Sequence, residues 1–535
     1  MLAALAATLL VPAAARAAYD QESMLQDDNL LLYSSPATVG ATLDTLKALG
    51  VDRVRLTIKW SAIAPSPTAT TRPGFDAKDP AAYPAGAWDR YDTVVRLAQD
   101  RGIGIDFNLT APAPDWATTA APTEKDRELF NPSPAEFQAF VQAVGTRYSG
   151  TYTPTVTTTT GGSQGGLGGL LGGSTGTTTT TTQPALPRVT YWSVWNEPNQ
   201  PGWLLPQSVQ TSGSWVDEAP RLYRALVDAA SASLYLTGHG QDTILIGETA
   251  PQGSTAPGVS NGIFPLKFLR ELYCVNKKLR PLKGSFAAAL GCPTSGGAAS
   301  FAQAHPELFA ATGLAHHPYS LFFAPDFKAL QPDSVGVADL PVLERTLDKI
   351  FRLYGRSQKI PIYLTEYGYQ TKPPDPTGVS KTQQESYLNQ ADFMTFQDPR
   401  VKALSQFQLQ DDLPNQNVPK NSRFYWSTFQ SGLEFAGGQR KASFAAYRLP
   451  IWLPRTHGTV LRVWGLLRPA VNGSRQHVSV VYRPRHGSGT WRTLRSLSVG
   501  SPRGSFLTRI HPPRGQGRVR LVWNGMTSRS VAVRR

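Results

Sequence analysis

Residues 189–200 read V-T-Y-W-S-V-W-N-E-P-N-Q, and this stretch decides the fold of the chain. Its first half favours a buried strand, because Val, Tyr and Trp pack well on a pleated surface. The strand ends at Glu197, since Pro198 cannot donate to a sheet and biases the residue before it toward an extended conformation. The sequence therefore predicts a carboxylate at the C-terminal end of a strand, and a strand followed by an ordinary polar turn is the alternative.

A second stretch repeats this pattern further along the chain. Residues 360–370 read I-P-I-Y-L-T-E-Y-G-Y-Q, and Glu366 stands where the apolar run ends. A (β/α)8 barrel carries its catalytic groups at the C-terminal ends of its strands. Two carboxylates that face one bond are what glycoside hydrolysis requires. Together the two stretches predict an α/β fold, a TIM barrel, with a pair of catalytic glutamates.

The paired motifs W-N-E-P-N and L-T-E-Y-G resemble those of the retaining glycoside hydrolases of clan A, nearest to families 5 and 39, which are cellulase- and β-xylosidase-like. The resemblance covers roughly residues 25–450. It implies an acid/base on the fourth strand and a nucleophile on the seventh, which are Glu197 and Glu366 here. It also implies that Asn196 binds the sugar and that neither a metal nor an organic cofactor is needed.

The resemblance also assigns polar residues on the other barrel strands. It implies that Arg55, in V-R-L on the second strand, helps to hold the nucleophile, and an ordinary interior ion pair is the alternative. His317 and Tyr319 fit a His-x-Tyr on the sixth strand, whose tyrosine is implied to bond the nucleophile. His316 beside His317 raises the alternative of a metal site, although adjacent strand residues point to opposite faces. Glu248 at the end of the fifth strand is a rival catalytic carboxylate.

Tryptophans in the predicted loops are candidate sugar platforms, because their wide apolar face packs on the C–H face of a pyranose. Loops after barrel strands shape the active face. The candidates are Trp116, Trp203 and Trp426, with Trp215 as a further one. A buried loop anchor is the alternative for Trp116. Long loops rich in tryptophan favour an oligosaccharide or polysaccharide as the substrate.

Two segments, residues 1–17 and 150–183, differ from the regular pattern of the barrel. Residues 1–17 predict a secretory signal peptide, with a short apolar run and an A-x-A site, and hence a secreted or cell-surface protein. No later apolar stretch is long enough to anchor the chain in a membrane. Residues 150–183 are rich in Thr and Gly, and predict a disordered or flexible insertion within the barrel domain. The first strand of the barrel is predicted at 29–33.

The chain has two cysteines, Cys274 and Cys292. In an exported chain they predict a disulfide that stabilises the fold by about 3 kcal/mol in the chain-entropy model. Two free buried thiols are the alternative. A metal site is excluded, because two cysteines without a nearby histidine supply too few ligands.

The segment 456–535 predicts a small all-β sandwich domain, with strand-like runs between Gly- and Pro-rich turns. From Arg455 onward the chain has 16 Arg and no Lys, Asp or Glu. Removing these 16 from the 53 basic residues leaves 37 against 38 acidic residues, so the excess positive charge lies in the tail. A GC-rich genome explains arginine in place of lysine but not the missing carboxylates.

The charge asymmetry favours an acidic partner, which is an anionic polysaccharide, a cell-wall polymer, a membrane surface or a nucleic acid. Export makes nucleic acid the least favoured of these. The sequence as a whole predicts a secreted retaining glycoside hydrolase that cleaves β-O-glycosidic bonds in an oligo- or polysaccharide. The alternatives are a barrel that only binds carbohydrate or cell wall, and a nucleic-acid-associated protein that acts through its tail.

Overall fold

The computed structural model describes residues 17–160, 177–295, 297–422, 424–470, 474–486 and 489–535. The predicted signal peptide therefore lies outside the described residues, apart from Ala17. Within these ranges, no helix combines the length and the apolar character that crossing a bilayer requires.

Eight parallel strands close into a barrel in the order β1-β8-β7-β6-β5-β4-β3-β2. They are almost entirely buried, because packed side chains fill the inside of the barrel and helices cover the outside. The predicted TIM barrel is confirmed. Its strands are β1 Glu22–Gln26, β2 Arg53–Lys59, β3 Gly104–Thr110, β4 Tyr191–Val194, β5 Thr243–Thr249, β6 Gly313–His316, β7 Ile362–Leu364 and β8 Val401–Phe407.

At least one helix follows every strand of the barrel. The helix over Pro36–Leu49 ends at Gly50, which adopts the left-handed conformation of a C-cap with a φ of 77°. The helices are α1 Asp28–Leu32, α2 Pro36–Leu49, α3 Asp89–Asp100, α4 Pro134–Arg147, α5 Ala219–Leu236, α6 Pro265–Leu272, α7 Gly284–Ala289, α8 Ala298–Ala304, α9 Glu307–Ala310, α10 Leu340–Leu353, α11 Lys381–Phe396 and α12 Ala442–Arg448.

The first strand of the barrel is not at 29–33, and that prediction is wrong. Leu30, Leu31 and Leu32 belong to helix α1, whose N-cap Asp27 accepts a hydrogen bond from the backbone of Leu30 at 3.1 Å. The strand precedes them at Glu22–Gln26. A short leucine run has no periodicity, so it does not distinguish a buried strand from a buried helix.

The Thr- and Gly-rich insertion begins and ends in an antiparallel hairpin, Thr155–Thr160 paired with Thr177–Thr182. The sequence predicted a flexible insertion here, whereas these two segments form paired strands. Threonine favours the extended backbone of a strand because its side chain is β-branched. The middle of the predicted insertion, 161–176, lies outside the described residues. The hairpin follows helix α4 and precedes β4, so it leaves the barrel at the N-terminal ends of the strands.

A disulfide joins Cys274 to Cys292, which confirms the predicted bridge. Cys274 lies just after helix α6, and Cys292 lies just after α7. The bridge therefore ties together the long connection between β5 and β6. Both residues are buried and belong to the main hydrophobic core.

The C-terminal residues form a second domain of two antiparallel sheets, which confirms the predicted all-β sandwich. The sheets share a buried core that includes Val463, Val480, Phe506 and Leu521. One sheet contains β9 Ile451–Trp452, β10 Leu461–Leu466 and β13 Ser505–Ile510. The other contains β11 Gln476–Pro484, β12 Arg492–Val499, β14 Gln516–Trp523, β15 Met526–Thr527 and β16 Val531–Arg534.

The sandwich contacts the barrel beside the N-terminal ends of β1 and β2. Buried Arg468 donates to Asp392 of helix α11 at 2.9 Å. Arg503 pairs with Glu22 at the start of β1 at 3.2 Å, and Trp464 packs against the aromatic side chains of α11. This interface lies at the opposite end of the barrel from the C-terminal ends of the strands, so it leaves the active face open.

Candidate active site

Glu197 and Glu366 both lie at the C-terminal face of the barrel, one after β4 and the other after β7. The backbone at the end of β4 is unusual, because Trp195 and Glu197 have φ values of 65° and 37°. Left-handed backbone is uncommon for residues other than glycine and marks a constrained position. The Glu197 N–H also donates to the carbonyl of Glu248 at 2.9 Å, which ties the end of β4 to β5.

The carboxylates of Glu197 and Glu366 face each other closely. One oxygen of each lies within 4.8 Å of the other and of a ring nitrogen of His317. Retaining glycosidases have their two carboxyl groups about 5–5.5 Å apart, whereas inverting enzymes need about 6.5–9.5 Å to admit a water. The spacing therefore fits direct attack by one carboxylate on an anomeric carbon.

Arg55 is a fully buried cation that connects several site residues. It donates through Nη1 to Glu366 Oε1 at 2.8 Å, which is the contact that the sequence predicted. Through Nη2 it donates to Asn196 Oδ1 at 2.7 Å and to Glu248 Oε2 at 2.8 Å. Burial lowers the pKa of Arg55, but Glu248 and Glu366 outweigh that effect and raise it. Arg55 lies beneath the cavity and orients the groups that line it.

His317 lies between three carboxylates. Its Nδ1 is 2.9 Å from Glu197 Oε1 and 3.6 Å from Glu366 Oε2, and its Nε2 is 2.8 Å from Glu248 Oε2. Burial lowers the pKa of His317, but the carboxylates outweigh that effect and raise it to about 10. At neutral pH the ring is therefore an imidazolium that donates from both nitrogens.

The protonation of His317 bears on whether the site holds a metal. Glu197, His317 and Glu366 are spaced closely enough to share an ion. An imidazolium has no free lone pair on either nitrogen, so His317 would have to lose its proton and one of its hydrogen bonds to become a ligand. The donor set therefore does not suit a resident metal.

His316 points away from this cluster, as expected for adjacent residues of a strand. Its Nδ1 is 2.9 Å from Thr249 Oγ1, and its Nε2 is 3.0 Å from the carbonyl of Val335. Burial lowers the pKa of His316 to about 4, so the ring is neutral. His316 and His317 therefore do not form a pair of metal ligands.

Tyr319 donates its hydroxyl to Glu366 Oε2 at 3.0 Å, so Arg55 and Tyr319 each hold one oxygen of this carboxylate. Burial and the nearby Glu366 raise the pKa of Tyr319, which keeps the phenol protonated. Burial also raises the pKa of Glu366 itself, while His317 and Arg55 act in the opposite direction. Two hydrogen bonds therefore orient the carboxylate, while the charges of His317 and Arg55 only partly offset the effect of burial on its pKa. A fixed carboxylate in these surroundings suits the role of a nucleophile.

Glu248 has a supporting position that the sequence did not reveal. It is fully buried, and its Oε2 accepts from Arg55, from His317 and, at 2.8 Å, from Thr365 Oγ1. Burial raises the pKa of Glu248, but Arg55 and His317 outweigh that effect and lower it to about 2. Glu248 does not line the cavity, so it does not act as the rival catalytic carboxylate.

A cavity of about 620 Å³ opens above the two facing carboxylates. Glu197, Glu366, Asn196 and Tyr319 line its floor. Part of the rim is apolar and unusually exposed, because Leu321, Phe322 and Phe429 expose 47, 57 and 48 % of their surface. Polar side chains complete the lining, including Gln26, Asp28, Asn29, Lys59, Gln370 and Gln408. A pocket with an apolar wall and a few convergent polar groups is typical of a ligand site.

The predicted tryptophan platforms have different positions in the structure. Trp203 lines the cavity. Trp116 does not, and its predicted contact with substrate is wrong, because the ring is buried and its Nε1 donates to the carbonyl of Pro65 at 3.0 Å. Trp426 is half-buried outside the lining, where its loop instead contributes Phe429. Residue type alone does not reveal whether a loop aromatic packs inward or faces a ligand.

No family model matches the chain, and no curated protein matches its sequence. Among solved structures, a family 39 glycoside hydrolase from Bacteroides cellulosilyticus WH2 is similar at 13% identity and a TM-score of 0.46, covering 93% of this chain and 81% of that one. A monomeric β-xylosidase from Caulobacter crescentus CB15 has 13% identity and a TM-score of 0.45, covering 97% and 96%.

A family 1 β-glucosidase from Thermotoga maritima is similar at 14% identity and a TM-score of 0.42, covering 76% of this chain and 84% of that one. The paired motifs in the sequence predicted a resemblance to proteins of this kind. The reaction and the substrate are inferred below from the geometry of the site and not from these similarities.

Proposed function

We propose that the protein is a retaining glycoside hydrolase that cleaves β-O-glycosidic bonds. The observation that carries this proposal is the close pair of carboxylates, with oxygens of Glu197 and Glu366 within 4.8 Å at the floor of an open cavity. Two carboxyl groups at this separation suit a double displacement, in which one is the nucleophile and the other is the acid and then the base.

In the first step, a carboxylate oxygen of Glu366 forms a bond to the anomeric carbon while the bond to the leaving oxygen breaks. Glu197 gives its proton to that oxygen, and a glycosyl-enzyme remains. In the second step, Glu197 takes a proton from water, the water oxygen attacks the anomeric carbon, and the bond to Glu366 breaks. Arg55 and Tyr319 hold the two oxygens of Glu366 throughout, which restricts its rotation.

The neighbours of Glu197 fit its dual role as acid and base. His317 binds Oε1 of Glu197 at 2.9 Å, so Oε2 is the oxygen available to carry the transferred proton. Asn196 lines the cavity, and its Oδ1 accepts from Arg55. This contact fixes the carboxamide with its N–H groups available to a sugar hydroxyl, as in the 2-hydroxyl contact that strengthens in the transition state.

The cavity supports an oligo- or polysaccharide as the substrate. Its volume and the apolar wall formed by Trp203, Phe322 and Phe429 suit more than one sugar ring, since aromatic faces pack against pyranose rings. We further propose that the protein is exported. The expected signal peptide and the disulfide between Cys274 and Cys292 support this, because disulfides persist in oxidising compartments.

The test compares wild type with Glu197→Gln and Glu366→Gln on a panel of aryl β-glycosides and polysaccharides. Glu136→Gln is the matched control, because Glu136 pairs with Arg72 at the surface and does not line the cavity. We expect each site variant to lose product release by about a hundredfold or more, since both groups take part in bond breaking. The control should stay within about twofold of wild type.

The alternative function is a barrel that binds carbohydrate without cleaving it. It would be correct if wild type released nothing across the panel while all forms bound polysaccharide equally well. Equal product release by wild type and both site variants would instead show that other residues carry the reaction.

A further inference from the structure

We propose that the C-terminal sandwich has a second binding site, separate from the barrel, that takes an anionic polysaccharide. The site is a cavity of about 630 Å³ formed by the sheet that contains β11, β14 and β16. Its lining is strongly basic, with four arginines and one histidine, namely Arg483, Arg485, Arg518, Arg534 and His457. All five side chains are exposed or half-buried, so a polymer in solution can reach them.

The arginines of this basic cavity are held close together. Arg483 on β11 lies directly opposite Arg518 on β14 in the strand register. Arg520 lies outside the lining of the cavity but close to it, because Arg483 and Arg520 both lie over the ring of Trp491, at 5.0 and 4.0 Å from its centroid. Burial and the charge of Arg483 lower the pKa of Arg520, which reports on their proximity. Like charges directly opposite each other destabilise a sheet.

No carboxylate side chain of the same domain offsets the repulsion between these arginines, because the chain from Arg455 onward contains no Asp or Glu. Arg485 and Arg518 bond neutral groups instead, the side chain of Gln516 and Ser530 respectively. A bound polyanion would supply the missing negative charge. The domain therefore has the electrostatic properties of a receptor for repeated anionic groups.

Other arginines of the domain do meet partners on the barrel. Arg468 pairs with Asp392, and Arg503 pairs with Glu22. Arg529 donates to Asn389 Oδ1 at 3.0 Å. The domain thus uses these three side chains for docking. Arg518 lies beside this interface, because burial raises the pKa of Glu385 on helix α11 while Arg529 and Arg518 act in the opposite direction. Within the described residues, the arginines of the basic cavity form no ion pair with the barrel of the kind that Arg468 and Arg503 form.

The chemistry of the cavity favours an acidic polysaccharide. Guanidinium groups bind carboxylate and sulfate groups through paired hydrogen bonds, so several arginines in one cavity suit a chain of charged sugars. Single-stranded nucleic acid is usually held by exposed aromatic platforms. In the described part of the domain the large exposed apolar residues are Val460 and Leu507, and neither is aromatic.

The position of the domain indicates what the second site does. The sandwich contacts the barrel at the N-terminal ends of β1 and β2, whereas Glu197 and Glu366 lie at the opposite, C-terminal ends of the strands. The basic cavity therefore holds the protein on an anionic polymer and does not bind the bond that is cleaved. This inference stands independently of the function proposed for the barrel.

The test measures retention of the full chain in gels that contain polygalacturonate, heparin or neutral dextran, over a series of salt concentrations. The first variant replaces the four arginines of the basic cavity by Gln. The charge-matched control replaces four exposed arginines that do not line the cavity: Arg455, Arg462, Arg495 and Arg509. Thermal unfolding measures whether each variant is folded. A variant with Lys in place of the four cavity arginines keeps the positive charge and replaces the Gln variant if that variant does not fold.

We expect retention by polygalacturonate or heparin, none by dextran, and loss of retention as salt is raised. The Gln variant of the cavity should bind at least about tenfold more weakly, the control less than about threefold more weakly, and the Lys variant should fall between wild type and the Gln variant. The inference is overturned if the two charge-matched variants weaken equally, or if wild type ignores both polysaccharides. Tighter binding to a DNA duplex or to anionic vesicles than to either polysaccharide would also overturn it.

Discussion

Replacing Glu248 by Gln tests how the buried charges beneath the cavity support the facing carboxylates. Gln has nearly the same shape as Glu, so the substitution removes the charge and leaves the volume. The Glu248 carboxylate accepts from Arg55 and His317 at 2.8 Å each, and neither cation is exposed. Glu248→Gln should therefore destabilise the protein and disturb the geometry around Glu366.

The size of the effect follows from the pKa of Glu248, which is about 2 in the folded protein against an ordinary value of 4.5. A difference of that size corresponds to about 3 kcal/mol of stability. Because the folded value lies below the unfolded one, this stability is fully present above pH 4.5 and is lost as the pH falls toward 2. At pH 4 it should already be smaller by about 1 kcal/mol.

The assay is urea unfolding of wild type and Glu248→Gln at pH 7 and pH 4, together with kcat on the best substrate of the panel. We expect wild type to be more stable by about 3 kcal/mol at pH 7 and by about 2 kcal/mol at pH 4. We also expect kcat of the variant to fall at least about tenfold, because Arg55 and His317 lose the anion that holds them.

The control is Asp392→Asn, which removes the partner of Arg468 at the interface between the domains. Asp392 is also buried, so the control should lower stability, but it does not line the cavity and contacts neither Glu366 nor His317, so it should leave kcat within about twofold. Equal stability of wild type and Glu248→Gln at pH 7, or an unchanged kcat in that variant, would refute the reasoning.

The other predictions concern single contacts. Tyr319→Phe removes the donor to Glu366 Oε2, and kcat/KM should fall about tenfold to a hundredfold, because a hydrogen bond to a charged group contributes about 1.5–3 kcal/mol; an unchanged kcat/KM would contradict a role for this contact in catalysis. Phe322→Ala shortens the exposed rim, and KM for an oligosaccharide should rise a few-fold at constant kcat, as steady-state kinetics would show; an unchanged KM would contradict a contact with substrate. Replacing Cys274 and Cys292 by Ser should cost about 3 kcal/mol in unfolding without changing kcat, and equal thermal stability would contradict this.

The local sequence was sufficient to predict which carboxylates lie at the ends of the strands. Glu197 and Glu366 follow buried runs that stop abruptly, and the alternation along a strand separates His317 from His316. The position of Glu248 between Arg55 and His317 could not be predicted in this way. Its role depends on distances between β2, β5 and β6, which are set by closure of the barrel and leave no signal in the neighbouring residues.

The walls of the cavity were harder to predict than its floor. Trp116 has the residue type of a sugar platform, yet its loop folds back and buries it. Leu321 and Phe322 are large apolar residues of a kind that is usually buried, yet they are exposed at the rim. Loops follow the packing of several distant segments, so the direction of a loop side chain is not encoded in its immediate sequence.

The stereochemistry of the first product tests the central claim most directly. Proton NMR during cleavage of an aryl β-glycoside identifies which anomer of the sugar appears before mutarotation. With oxygens of Glu197 and Glu366 within 4.8 Å, two successive inversions should release the β anomer first. Release of the α anomer first would mean that water attacks directly, and would contradict the role of Glu366 as nucleophile.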